Sequence, residues 1–189
     1  MSSGLLETER LLLRNWSDRD AVMFHRLNSE ERVMEFFPFR RNFSEAEELR
    51  KKLAAAIEQQ GYGFAAVERR TGGDSLGFCG IVQCRLEPLF APDEIEIGWR
   101  LLPEYWGKGY ATEAAREWLR FGFEDLKLPR IVSFAVDGNR RSTAVMERIG
   151  MLRRPDLDFD HPRVSATHPR LKRHVTYVIE RTDWLSNCR

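Results

Sequence analysis

Glu94-Ile95-Glu96-Ile97-Gly98-Trp99-Arg100-Leu101, then Leu102-Pro103-Glu104-Tyr105, then Trp106-Gly107-Lys108-Gly109-Tyr110-Ala111-Thr112-Glu113-Ala114 is the stretch on which the fold turns. Its first part alternates as a strand does, with Ile95, Ile97, Trp99 and Leu101 on one face and Glu94, Glu96, Gly98 and Arg100 on the other. From Ala111 to Leu126 the set Ala111, Ala114, Ala115, Trp118, Leu119, Gly122, Phe123 and Leu126 recurs at helical spacing, which predicts a helix. Between strand and helix lies a glycine-rich turn. Such a turn aims backbone N–H groups at one spot with the helix dipole behind them, so Gly107 to Thr112 read as a phosphate cradle to which Lys108 adds a point charge. An ordinary glycine-containing turn is the bland alternative.

Two known phosphate-binding patterns fail on this stretch. A P-loop needs a glycine five residues before the Gly-Lys pair and a Ser or Thr after it, where this chain has Leu102 and Gly109. A dinucleotide fingerprint would put its third glycine at Thr112 and its first directly after the strand, yet Leu102 to Trp106 intervene.

Outward from the centre, Arg10 to Arg14 predicts a strand and Ser17-x-x-Asp20 a capping box opening a helix with Ala21, Phe24 and Leu27 inward. Ser44-x-x-Glu47 predicts a second capping box for a longer helix carrying Ala46, Leu49, Leu53, Ala56 and Ile57. Tyr62 to Glu68 and Leu76 to Leu86 read as a hairpin around Gly72-Gly73-Asp74. Beyond the central helix, Arg130 to Asp137 is a strand, Asn139 an N-cap, Ile149 a helix end with Gly150 after it, and His174 to Glu180 a last strand. One more strand or loop is expected around Met151 to Phe159. The order β-α-α-β-β-β-α-β-α-β is α+β, helices on a mixed sheet.

With 189 residues, 42% apolar and 31% charged, the chain suits one globular domain, residues 1–189. No repeat or linker divides it. Lys plus Arg is 30 against 29 for Asp plus Glu, a net +1 that gives no broad field for nucleic acid or anionic membrane, so neither is an expected partner. Cys79, Cys84 and Cys188 are odd in number and form no C-x-x-C, which predicts reduced thiols rather than staples. No apolar stretch approaches the ~18 residues of a membrane span and the start lacks a basic, apolar leader, so the expected location is the cytoplasm.

The strand 94–101, the run Pro103 to Ala114, Asn139-x-x-Ser142 and Met146-Glu147-Arg148-Ile149-Gly150-Met151 together resemble the GNAT N-acetyltransferases. Glu7-Thr8-Glu9-Arg10-Leu11-Leu12-Leu13-Arg14 is similar to the first strand of that superfamily's ribosomal-protein-alanine N-acetyltransferase-like group. One departure is Trp106, where the six-residue signature usually has Gln or Arg. The resemblance implies a mostly antiparallel central sheet with helices on both faces and a splayed central strand pair. It implies acetyl-CoA as cosubstrate, held by Leu101, Trp106, Gly107, Lys108, Gly109, Tyr110, Ala111, Thr112 and Asn139, and direct transfer to a primary amine without a covalent enzyme intermediate. A protein N-terminal α-amino group comes first as acceptor. A polyamine, an aminoglycoside, or a catalytically silent CoA-binding module remain the alternatives.

Acyl transfer from a thioester needs a neutral amine, a stabilised oxyanion and usually a proton for the departing thiolate. Glu96 is the expected base, through a water, and Glu94 on the same face, roughly 7 Å away, is expected to raise one carboxylate's pKa by like-charge proximity. A solvated or salt-bridged strand face is the plainer reading for both. Many relatives place a tyrosine seven residues after the Asn, which here is Met146, so Ser142 is the substitute that the resemblance suggests as partner of the leaving sulfur. A first-turn helical serine behind an N-cap is its plainer reading. His161, His168 and His174 fall close together but at no metal-ligand spacing, and no metal is expected. Phe36-Phe37-Pro38-Phe39-Arg40-Arg41 is open between lining the acceptor pocket, core packing and a homodimer contact.

Overall fold

The computed structural model describes residues 4–187; Cys188, one of the three thiols above, lies outside them. Strand β5 (Ile95–Leu101) forms where the alternation predicts it, and the glycine turn delivers the chain into α3 (Tyr110–Arg120). By their internal contacts the described residues form two compact units. One comprises the residues up to Val82 with Gly98–Trp118, the other Gln83–Ile97 with the residues from Leu119 onward.

In the first unit β1 (Leu6–Glu7) pairs with β2 (Leu11–Arg14), β2 with β3 (Phe64–Arg69), and β3 with β4 (Ser75–Gln83), all antiparallel. The registers set Leu13 opposite both Leu6 and Val67, and Ala65 opposite Cys79. The C-terminal half of β5 follows, with Leu102 N donating to Leu76 O at 2.9 Å. Helices α1 (Ala21–Ser29) and α2 (Phe43–Gln60) pack on each other. Phe24 and Leu27 of α1 are buried, as their spacing predicts, while Met34 closes the core from the following loop.

The capping box at Ser17 and Asp20 forms and opens a short 3-10 turn that runs into α1. The second capping box is corrected: Asn42, not Ser44, caps α2, accepting from Glu45 N at 3.0 Å while Glu45 returns to Asn42 N at 2.9 Å. Asn is as good a cap as Ser, and its register lets α2 start two residues earlier, at Phe43. Glu47 thereby faces Arg50 and Lys51 along the helix. Arg14, 1% exposed, and Asp20, fully buried, form a bidentate pair at 2.8 Å, with Glu68, Arg19 and Ser75 joined to it.

In the second unit the N-terminal half of β5 is followed by β6 (Arg130–Val136), β9 (Arg173–Glu180) and β7 (Leu152–Arg153), with β8 (Phe159–Asp160) also on β9. Two short strands therefore stand where one was expected. β5 and β6 pair in parallel, whereas β6, β7 and β8 each pair with β9 antiparallel. Cys84, Leu86, Phe90, Val132, Phe159 and Val178 make this unit's core. Asn139 caps α4 (Arg140–Arg148), and Gly150 follows the helix end with φ 87°. The helix expected to reach Leu126 is corrected at its end: α3 stops at Arg120 and passes into a π-helical turn, Phe121–Asp125. The wider turn shifts the helical phase, so Phe123 stays buried while Leu126 emerges at the surface. A helix α5 (Arg181–Asn187), which the sequence pattern does not signal, follows β9 directly.

Candidate functional site

In the first unit the turn after β5 is built around Trp106, whose Nε1 donates to Leu101 O at 2.7 Å. Gly107 and Gly109 then take φ of 72° and 80°, the left-handed region in which a side chain is strained. The intrahelical ladder opens with Glu113 N donating to Gly109 O at 3.0 Å. N–H groups ahead of that bond find no acceptor inside the helix, so the segment through Thr112 presents donors to whatever lies over the turn. Gly107, Lys108 and Gly109 are exposed, and a Cβ built on Gly107 would meet nothing within 4 Å. These residues fit a pyrophosphate.

The turn is tethered by residues the sequence reading did not single out. Glu113 Oε1 accepts from Thr8 Oγ1 at 2.6 Å and from Arg10 N at 3.0 Å, and Oε2 from Arg10 Nε at 2.6 Å. Arg10 Nη1 donates to Lys108 O at 3.1 Å, and its guanidinium stacks 4.6 Å from the centre of the Tyr110 ring. Burial pushes the Glu113 carboxyl up, but the hydrogen bonds from Thr8 and Arg10 outweigh it and hold it ionised. Its charge suits the first turn of α3, and Arg10 cancels it beside the anion cradle. Glu7–Arg14, likened to a single first strand, instead divides between β1 and β2 with Thr8–Arg10 as the turn between them, and the reach of that turn to α3 was not legible.

The second unit separates the two glutamates. Glu94 is buried and bound by the Arg130 guanidinium, with Nε 3.1 and 3.0 Å from its two oxygens and Nη2 closer still. It is not available as a base. Glu96 makes no hydrogen bond or ion pair among the described residues, and burial pushes its carboxyl up to about 7, opposed by the charge of Arg163. The expected like-charge origin is thus corrected: desolvation raises Glu96, because the charge of Glu94 is already matched by Arg130. Glu96 stands opposite Val132 in the parallel pairing of β5 with β6, while the neighbouring Ile97 O accepts from the Ser133 side chain at 2.9 Å.

Asn139 Oδ1 accepts from Ser142 N at 3.2 Å, the N-cap geometry. Ser142 is half-buried in the first turn of α4, and its hydroxyl makes no hydrogen bond to another described residue. Met146 is buried. Tyr177, this unit's one tyrosine, donates its hydroxyl to Glu147 Oε1 at 3.0 Å, and burial raises its pKa. Of the histidines, His161 and His174 meet with ring centres 4.9 Å apart while His168 sits by Thr167. Among the described residues no group of three or more His, Cys, Asp or Glu is placed to hold a metal, and no helix is long and apolar enough to cross a membrane.

Residues 10–152 match the family model for the acetyltransferase (GNAT) domain. The chain belongs to the GNAT acetyltransferase family. YkkB of Bacillus subtilis is 34% identical over 150 residues, covering 77% of this chain and 84% of that protein. A GNAT-family acetyltransferase of Bacillus anthracis superposes with TM-score 0.77 at 27% identity, over 94% of this chain and 98% of that one. The ribosomal-protein-S5-alanine acetyltransferase of Vibrio fischeri does so with TM-score 0.73 at 18% identity, over 95% and 97% of the two chains. The GNAT fold expected from the strand, turn and helix at 94–126 is the one found, and the chain is an acetyl-CoA-dependent N-acetyltransferase.

Proposed function

We propose that this GNAT enzyme acetylates a protein N-terminal α-amino group by direct transfer, with Glu96 as the base. The observation that carries the reading is a half-buried carboxylate with no ion-pair partner and a pKa of about 7, next to a glutamate already neutralised by Arg130. An α-amino group of pKa ~8 is mostly protonated at neutral pH, and a base of matching strength is what its deprotonation calls for. The protein N-terminus as acceptor rests on the likeness of the Glu7–Arg14 stretch to the ribosomal-protein group. The match at 10–152 draws on residues of both units, which supports one acetyltransferase domain.

Acetyl-CoA supplies the activated acetyl group as a thioester. Backbone N–H groups from Gly107 to Thr112 would hold its pyrophosphate, with Lys108 adding a charge and Trp106 keeping the turn on Leu101 O. Glu96 takes the ammonium proton, through a water, leaving a nucleophilic amine. Asn139 fixes the start of α4, and through it the Ser142 hydroxyl, which is the donor we assign to the departing sulfur. Cys79 and Cys84 are buried free thiols, in keeping with a cytoplasmic enzyme.

Acetyl-CoA is expected to raise the melting temperature at millimolar concentration, and peptides with free N-termini are expected to release CoA thiol. Thiol release from polyamines or aminoglycosides but from no peptide would make a small-molecule amine the acceptor instead.

A further inference from the structure

Two guanidinium groups of the first unit converge on one neutral oxygen. Arg100 Nη1 and Arg41 Nη1 each donate to Asn28 Oδ1 at 3.1 Å, and Arg100 Nη1 also lies 3.3 Å from Leu27 O. The Arg41 backbone N donates to Asn28 O at 2.9 Å, so the loop after α1 is held to the helix end that presents this amide. Asn28 is fully buried and fixed in turn by donating Nδ2 to Phe24 O at 2.8 Å. Arg100 stacks 4.2 Å from the centre of Phe37 and 5.3 Å from that of Phe78, and Arg41 stacks 4.4 Å from that of Phe39.

Neither arginine has an ion-pair partner among the described residues. Each gives a single nitrogen of its side chain to the protein, leaving Nε and Nη2 without a protein acceptor. The fully buried arginines of this unit are matched, Arg14 by Asp20 and Glu68 and Arg50 by Glu47 and Asp18, whereas the partly exposed Arg41 feels only the more distant charge of Glu45. Two unpaired cations sharing one amide oxygen repel each other and lose hydration. Burial, followed by the charge of Arg41, pushes Arg100 down to about 9. An anion placed on the free arms of both forks would reverse that cost, since planar guanidinium groups match carboxylate and phosphate oxygens in bidentate fashion.

We infer that Arg41 and Arg100 form a recognition site for an oxyanion, a carboxylate or a phosphate, carried by the acceptor peptide near its amino terminus. The inference rests on the acetyltransferase reading above and sharpens its acceptor to an acidic N-terminal segment. The alternation of the sequence puts Arg100 in the same set of strand residues as Glu96, the residue proposed above as the base. Phe37 and Phe39, whose role the sequence left open, act here as the platforms that hold the two guanidinium planes. A polyamine would bring further positive charge to this pair.

The test compares peptides with the same N-terminal residue followed by Glu-Glu, Gln-Gln or phosphoserine, by titration calorimetry and by thiol release. The acidic peptides are expected to bind the wild-type enzyme about ten to a hundredfold more tightly than the neutral one, the range of a charge-assisted hydrogen-bonded contact. Arg41→Gln is expected to bring that ratio towards one, and Arg100→Lys, which keeps the charge but loses the fork, to reduce it. The Glu and phosphoserine arms distinguish the two oxyanions. Equal binding of acidic and neutral peptides, or a variant effect confined to the KM of acetyl-CoA, overturns the inference. Absence of acetyl-CoA stabilisation and of thiol release would overturn the acetyltransferase reading, whereas charge-selective peptide binding is read by calorimetry independently of turnover.

Discussion

Arg10 and Glu113 meet through Nε and Oε2 at 2.6 Å, joining the chain just before β2 to the first turn of α3. The same arginine holds Lys108 O at 3.1 Å, so one side chain grips both the glycine turn and the helix it feeds. Glu113→Ala removes the acceptor of three hydrogen bonds, those from Thr8 Oγ1, Arg10 N and Arg10 Nε. Hydrogen bonds to a charged group are worth ~1.5–3 kcal/mol each, and losing this tether is expected to raise the KM of acetyl-CoA about tenfold with kcat changed much less. Steady-state kinetics with acetyl-CoA varied separates the two constants; an equal fall in kcat would mean that the tether does more than position the turn.

Gly109→Val is expected to abolish stabilisation by acetyl-CoA. At φ 80° a branched side chain is strained, and the new Cβ would lie 3.4 Å from Arg10 Nη2. Gly107→Ala provides the comparison, because a Cβ there meets nothing within 4 Å and the cost is backbone strain alone, ~1–2 kcal/mol. A melting-temperature titration of both variants with acetyl-CoA reads the difference.

Glu96→Gln is expected to lower kcat by about ten to a thousandfold. Wild-type turnover is expected to fall as pH drops below about 7, where Glu96 takes up its proton, and the variant is expected to lose that ionisation from its profile. Stability moves the other way. A folded pKa of about 7 against an ordinary 4.5 means that, as pH rises from 4.5 to 7, the unfolded chain releases a proton that the folded one keeps, which destabilises the fold. Glu96→Gln is therefore expected to melt higher than wild type at pH 8 and level with it near pH 4. Unchanged turnover removes Glu96 from the mechanism.

The strand, turn and helix at 94–126 were legible because each is set by local chemistry: alternation, two glycines before a helix and apolar residues at helical spacing. Asn139 was legible as a cap for the same reason. What escaped the sequence is long-range pairing. Nothing local in Glu94-x-Glu96 tells which carboxylate Arg130 will claim, and the partners of Glu113 lie over a hundred residues away in the chain. Arg41 was legible only as the end of a stretch of open role and Arg100 only as a member of one strand face; the Asn28 amide that they share was not. The end of α3 escaped because a π-helical turn leaves the apolar spacing almost intact.

Asp20 bears on stability at acid pH. Burial pushes its carboxyl up, but hydrogen bonds from Arg14, Ser17 and Ser75 and the charge of Arg14 outweigh this and hold it at about 2. Because that lies below its ordinary value of 3.8, its contribution is complete above pH ~4 and is lost as pH falls towards 2. Asp20→Asn is expected to destabilise the protein by ~3 kcal/mol at neutral pH, since a buried arginine loses its bidentate partner. Denaturant unfolding at pH 7 and pH 3 measures it, with a smaller difference between variant and wild type at the lower pH.

Arg130 gives Glu96 independence. Two carboxylates sharing a strand face would ordinarily trade protons and titrate as a linked pair with two macroscopic steps. With the first held by a guanidinium, the second answers to pH as a single site, and its basicity is set by the water its surroundings exclude. The acid–base response of this enzyme is therefore expected to be a one-proton curve, and Arg130→Met, by freeing Glu94, to split it in two. A residue with no part in the reaction thus decides how many protons the reaction counts.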